Sequence, residues 1–221
     1  MGIMASAAQA VTDRDAREGH DRAQLERLTF FSDAVFAIAM TLLVVEVKLP
    51  PLHHPTGPQL GQALIDLTPN YIGFLVSFLV LGRFWLAHHE VMGLLKAADK
   101  RLVAANLFLL LGVAFMPFPT AVISEYVQLR TGIGFYTGWL VLLGLFNRQL
   151  IRAILKNPGL LDHGMTAADL RPFLRRSWIP VIIGLAAFAA GMVTWLAALG
   201  VLMIGSPIIA LLVARRAARG G

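Results

Sequence analysis

Residues 27–47 read Arg-Leu-Thr-Phe-Phe-Ser-Asp-Ala-Val-Phe-Ala-Ile-Ala-Met-Thr-Leu-Leu-Val-Val-Glu-Val. Twelve uncharged residues separate Asp33 from Glu46, and at about 1.5 Å per residue they are too few to cross a hydrocarbon layer of about 30 Å. A lipid-facing helix is a poor home for two carboxylates this close together, because ionisable residues within a span usually face protein or a water-filled path and mark function. Steps of three and four residues put Ala34, Ile38, Thr41 and Val45 on one stripe, with Leu42 beside Thr41 and Glu46 beside Val45. Were this stripe to line an axis between identical copies, Glu46 would form an acidic ring attracting cations at the outer mouth. Ile38 would form an apolar constriction deeper in, of the kind that gates by dewetting. The same residues also read as ordinary helix packing, since any apolar helix offers such a stripe. Periodicity leaves both readings open.

The surrounding chain has the composition of a membrane protein. Of its 221 residues 57% are hydrophobic and 14% charged, where a soluble domain carries about 25% charged residues. Six apolar segments can be marked: Phe30–Leu49, Pro69–His89, Leu102–Ile123, Ile133–Ile154, Trp178–Trp195 and Leu196–Ala214. The last two are nearly continuous and are divided because Ile179–Val213 exceeds the length of one span, with a tight turn expected at Gly200 or near Trp195. The expected fold is an all-α integral membrane bundle of six transmembrane helices over residues 28–215. A cytoplasmic lead (1–27) precedes it, mobile or helical, and a cytoplasmic tail (216–221) follows. The lead carries no secretory-signal pattern, so the first helix is expected to be retained. Cysteine is absent, which removes disulfide and thiolate chemistry.

Lysine and arginine are divided unequally between the two sets of loops. Sixteen fall in the lead, the second and fourth loops and the tail, against two, Lys48 and Arg130, on the other side, with Arg83 inside the second segment. By the positive-inside rule both termini are cytoplasmic in a multi-pass protein of the cell membrane. The net charge of +6 is then a topology signal with some attraction to anionic lipid, and no nucleic-acid partner is implied.

The form Arg-x-x-x-Phe-Ser-Asp at residues 27–33, followed by AVFAIAMTLLVVEV, closely resembles the signature of the transmembrane protein 175 family of potassium channels, in its bacterial branch. The resemblance covers the first helix, and elsewhere rests on helix number, orientation and scattered residues, among them Trp85, His88 and Asn106. It implies a homotetramer in which the first helix lines a central pore. It also implies an apolar filter whose tightest ring is Ile38, with Thr41 and Val45 as further rings toward the outside. Met40 and Val45 depart from the bulkier aliphatics frequent in the family, which leaves the width at Val45 open. The function implied is a leak-type, potassium-selective channel with K+ as its permeant ion and no cofactor.

The depth of these residues carries a second expectation. With both termini on one side, the start of the first helix, the end of the second and the start of the third share a level. Arg27, Phe31, Ser32 and Asp33 are then expected to meet Trp85, His88 and Asn106 in a network that anchors the pore helix. The alternative is that Ser32 merely caps a helix and Asp33 is a first-turn acid. His88-His89-Glu90 does not suggest a metal site, because adjacent helical positions diverge by about 100°. Thr131–Phe135 (TGIGF) is a weak imitation of a carbonyl filter with no room for a pore helix before it, and reads as the start of the fourth helix. Gly134 with Gly138, and Ala187 with Gly191, have small-residue packing spacing. A coupled secondary transporter is the competing class, but midplane polar sites are not evident. An enzyme is not expected, since Ser77 and Ser206 have no evident base at their depth.

Overall fold

The structure is a computed structural model that describes the backbone of residues 2–203 and the side chains of residues 16 and 18–203. Every regular element among them is helical: α1 (Gly2–Leu42), α2 (Gly57–Asp66), α3 (Thr68–Met92), α4 (Lys100–Ala114), α5 (Pro117–Glu125), α6 (Arg130–Leu155), α7 (Ala167–Arg176) and α8 (Ile179–Gly191). Five stretches are long and apolar enough to cross a membrane: Glu18–Glu46, Thr68–Met92, Lys100–Glu125, Arg130–Leu155 and Ala167–Gly191. The chain is helical again over 195–203. Most of the expected sixth segment, from 204 onward, and the tail lie outside the described residues.

The polar lead and the first span form one helix, so no break marks residue 27. Its last turn tightens into a 3-10 turn over Leu43–Glu46, where a run of valines weakens the α-helix and Pro50-Pro51 follow. The first outer connection contains α2, which the sequence reading lacked. It is short, and Thr56 with Gln59 forms its capping box.

The third span is broken by its prolines. Pro117 has no N–H to give to the carbonyl of Val113, so the N–H of Met116 takes that carbonyl instead, at 3.1 Å. This strands the carbonyl of Gly112. The indole Nε1 of Trp139 in α6 donates to it at 3.0 Å, satisfying a backbone group that lipid could not. The fifth span is likewise jointed, α7 ending at Arg176 and α8 starting at Ile179. The turn after α8 lies at 192–194 and not at Gly200, and Thr194 caps the returning helix by accepting from the backbone N–H of Ala197 at 3.1 Å.

Helix α6 lies at the centre, packed mainly on α8 and α4, while α3 packs on α5 and α1. The α6–α8 approach uses Gly144 and Gly184. A Cβ at Gly144 would lie 2.9 Å from Cγ2 of Val181, and one at Gly184 would lie 2.8 Å from Cγ2 of Val141. Of the glycines singled out earlier, Gly134 faces Phe188 at 3.3 Å and Gly138 has nothing within 4 Å, while Ala187 is buried and Gly191 meets Ile133. Gly144→Ala or Gly184→Ala should therefore cost about 1–3 kcal/mol through overpacking, whereas Gly138→Ala should be neutral or slightly stabilising. Thermal unfolding in detergent measures the difference, and equal melting temperatures for all three variants would contradict this packing.

Candidate functional site: the two faces of the first span

Helix α1 buries one face and exposes the other. Leu25, Ser32, Phe36, Ala39 and Leu43, at steps of three, four and seven, point into the bundle and are at most 8% exposed. The opposite stripe at three- and four-residue steps is Arg27, Phe31, Ala34, Ile38, Thr41 and Val45, all exposed. Ile38 is 58%, Val45 55% and Leu42 45% exposed. Within one chain, α1 is the least buried of the five spans, at 22% of its apolar window.

The buried face is tied down by a directed chain of hydrogen bonds. His88 Nε2 donates to Asn106 Oδ1 at 2.9 Å, Asn106 Nδ2 donates to Ser32 Oγ at 2.9 Å, and Ser32 Oγ donates to the Leu28 carbonyl at 2.7 Å. All three side chains are 0% exposed. One amide thus joins α1, α3 and α4, and ring contact of Phe36 with His88 at 5.6 Å closes the apolar side. Beside this chain, Trp85 Nε1 donates to Asp33 Oδ1 at 2.8 Å, and the Trp85 ring lies 5.7 Å from His89. The network is therefore two adjacent units, Ser32–Asn106–His88 and Asp33–Trp85. Arg27 and Phe31 are not part of either. Among the described residues Arg27 has no side-chain hydrogen bond or ion pair, and Phe31 is 52% exposed, because both lie on the Ile38 stripe, on the far side of the helix from Ser32.

On the exposed stripe Thr41 Oγ1 donates to the Ile38 carbonyl at 2.8 Å, which leaves the hydroxyl's lone pairs turned outward. Glu46 is paired with Lys48 at 3.5 Å, so the expected acidic mouth carries a countercharge from two residues further on. His88 and His89 diverge as the helix dictates, and among the described residues no group of three or more His, Asp or Glu side chains is placed to hold a metal. Thr131–Phe135 falls in the first turns of α6. Ser77 does have partners: Thr120 Oγ1 donates to it at 2.7 Å and Tyr136 Oη lies 3.0 Å away, a buried hydroxyl cluster joining α3, α5 and α6 that sequence spacing gave no sign of. No imidazole or carboxylate belongs to that cluster, so it has the form of a structural tie.

Residues 27–117, which include the exposed stripe of α1 and the Ser32–Asn106–His88 and Asp33–Trp85 units, match the family model described as endosomal/lysosomal potassium channel TMEM175. Over these residues the chain is similar to the TMEM175 family. It is 43% identical over 102 residues to a protein of Streptomyces collinus named potassium channel, covering 46% of this chain and 48% of that one. It is 38% identical over 135 residues to one of Chamaesiphon minutus of the same naming, covering 59% and 66%. These alignments thus span about half to two thirds of the relatives' own lengths. The crystal structure of a lysosomal potassium-selective channel TMEM175 homolog from Chamaesiphon minutus superposes with a TM-score of 0.75 at 28% identity, over 86% of this chain and 98% of that one. The family and its structural neighbours are ion channels and not enzymes.

The hydrogen-bond chain predicts a coupled cost. Asn106→Ala removes the partner of both Ser32 and His88 in a buried site and should cost about 1–3 kcal/mol for each group left unsatisfied. Ser32→Ala in that background should then add little. A double-mutant cycle on unfolding in detergent reads the coupling, and simple additivity would mean that the amide does not bridge the two helices.

Proposed function

We propose that the protein is a potassium-selective channel of the cell membrane that conducts passively, assembled from four copies with α1 around a central axis. The observation that carries this reading is the division of α1 into a buried face anchored by Ser32 and an exposed, mostly apolar stripe, together with bacterial relatives named potassium channels. In the proposed ring Ile38 forms the narrowest section, with Thr41, Leu42 and Val45 toward the outside and Glu46 at the mouth. Arg27 and Phe31, on the same stripe, then flank its cytoplasmic entrance. The anchors are Ser32, Asp33, Trp85, His88 and Asn106.

A ring of isoleucine side chains offers no oxygen to replace hydration water. An ion passes it partly dehydrated or through a transiently wetted gap. Potassium holds its water less tightly than sodium, which favours potassium without a carbonyl cage, and no cofactor takes part.

The proposed topology has six spans with both termini cytoplasmic. The loop before α4 and the loop after α6 are stitched together, Lys96 N–H donating to the Leu160 carbonyl at 2.9 Å and Asp162 N–H to the Leu94 carbonyl at 2.9 Å. The basic segments on either side of this stitch therefore share one end of the bundle, as the positive-inside rule requires. The helix restarting at 195 continues in sequence as apolar residues to Ala214, enough for a sixth span.

Purified protein in liposomes should give potassium flux with no coupled gradient, which a secondary transporter would not. Ile38→Asn should raise conductance several-fold and move the bi-ionic reversal potential toward the non-selective value. Unchanged current and selectivity at Ile38, Thr41 and Val45 alike would remove α1 from the conduction path. At low ionic strength, where screening is weak, Glu46→Gln should reduce cation entry and Lys48→Gln should increase it.

A further inference from the structure

A cationic shelf lies where α6, α7 and α8 meet, away from the pore helix. Arg148 is fixed at its centre: Nη1 donates to the Leu174 carbonyl at 2.9 Å and to Ser177 Oγ at 3.2 Å, and the guanidinium carbon lies 4.2 Å from the centre of the Trp178 ring. These contacts hold the joint between α7 and α8. Around it Arg152 is exposed on the last turn of α6 and Lys156 just after it, and Arg171, Arg175 and Arg176 are exposed on α7. Arg171 and Arg175 are one turn apart and share a face. Leu170, fully buried, ties the other side of α7 into the bundle. Among the described residues none of these six cations is in an ion pair. The nearby carboxylate of Asp169 is engaged in its own capping box, accepting from Thr166 N–H at 2.7 Å and Thr166 Oγ1 at 2.9 Å.

The shelf opens directly onto an apolar stripe. Trp178, Ile182 and Leu185, at steps of four and three along the entry to α8, are 42%, 54% and 56% exposed. Cations at the end of a span, an exposed tryptophan at the boundary and an apolar stripe running into the span form the profile of an amphiphile with an anionic head. Free phosphate would use only the first of these, and the stripe would be wasted on it. A tryptophan at this position marks the headgroup level, and guanidinium forks match phosphate oxygens bidentately.

We propose that this shelf binds one anionic phospholipid, its phosphodiester held by Arg171, Arg175 and Arg176 and an acyl chain lying along Trp178, Ile182 and Leu185. Arg148 acts as a positioning residue, since its Nη1 is engaged by the joint and its guanidinium is held over the Trp178 ring. The site is independent of the conduction reading and is tested by binding alone.

The full-length protein is titrated with phosphatidylglycerol or phosphatidylcholine in detergent, and bound lipid is counted by native mass spectrometry. Phosphatidylglycerol is retained and phosphatidylcholine is not. Each basic residue near a charged headgroup is worth about fivefold in affinity, so Arg171→Gln/Arg175→Gln/Arg176→Gln weakens phosphatidylglycerol binding roughly a hundredfold, while Arg130→Gln at the other end leaves it unchanged. If the triple variant loses helical circular dichroism, the single Arg175→Gln gives the reading, with a loss of about fivefold. Equal retention of the two lipids, an unaffected triple or single variant, or an equal loss in Arg130→Gln overturns the site. Displacement of the lipid by millimolar inorganic phosphate overturns its assignment to a lipid.

Discussion

The carboxamide of Asn106 sets the rotation of the first span. It accepts a hydrogen bond from His88 and donates one to Ser32, and it can do so only with α1, α3 and α4 at one level and one azimuth. A fully buried amide with both ends engaged is costly to displace. With Ser32 turned inward, helical geometry turns Ile38, Thr41 and Val45 outward. The polar chain at one end of the helix therefore determines which apolar residues are presented along the rest of it. Asp33 repeats the constraint one residue later by accepting from Trp85.

The same use of side chains in place of backbone partners recurs on both sides of α6. At the α4–α5 joint the prolines release the Gly112 carbonyl and Trp139 takes it. At the α7–α8 joint the carbonyl of Leu174 accepts from Arg148 and from Ser177 Oγ. Both Trp139 and Arg148 are carried by α6, the most central span. Breaks in two neighbouring spans are thus tolerated because one unbroken helix between them supplies the missing donors. The close glycine contacts at Gly144 and Gly184 bring α8 near enough for this to work.

Much of this arrangement was legible in the residue pattern. The limits of α3 and α6 follow from long apolar runs, and alternating span direction sets Ser32, Asp33, Trp85, His88 and Asn106 at one level, while the residue pattern left open whether they meet in a network or Ser32 and Asp33 serve only as a cap and a first-turn acid. Arg27 and Phe31 were assigned to the wrong face because the motif was treated as one unit. Counting 27, 31, 34, 38 in steps of three and four sets them on the Ile38 stripe. Helix α2 was hidden by its brevity, and Ser77 by the sequence distance to Thr120 and Tyr136. The turn at 192–194 contains no proline or glycine of its own, and of the two positions expected for it the one near Trp195 holds while Gly200 lies inside the returning helix.

The pairing of Glu46 with Lys48 changes how charge selection works in the proposed pore. An exposed pair at 3.5 Å contributes little to stability, yet it leaves each copy nearly neutral at the outer mouth. A ring of four such pairs is an array of small dipoles and not a tenfold concentrator of cations. Moving inward along the exposed stripe, the only side-chain oxygen before the level of Asp33 is that of Thr41, whose proton is committed to the Ile38 carbonyl. Its lone pairs face the axis and offer a cation partial replacement for water while offering an anion no hydrogen. In the proposed assembly, preference for cations over anions is thus set beside the narrow section by the fixed direction of one hydrogen bond. Preference among cations is set one turn below, by the cost of shedding water at Ile38.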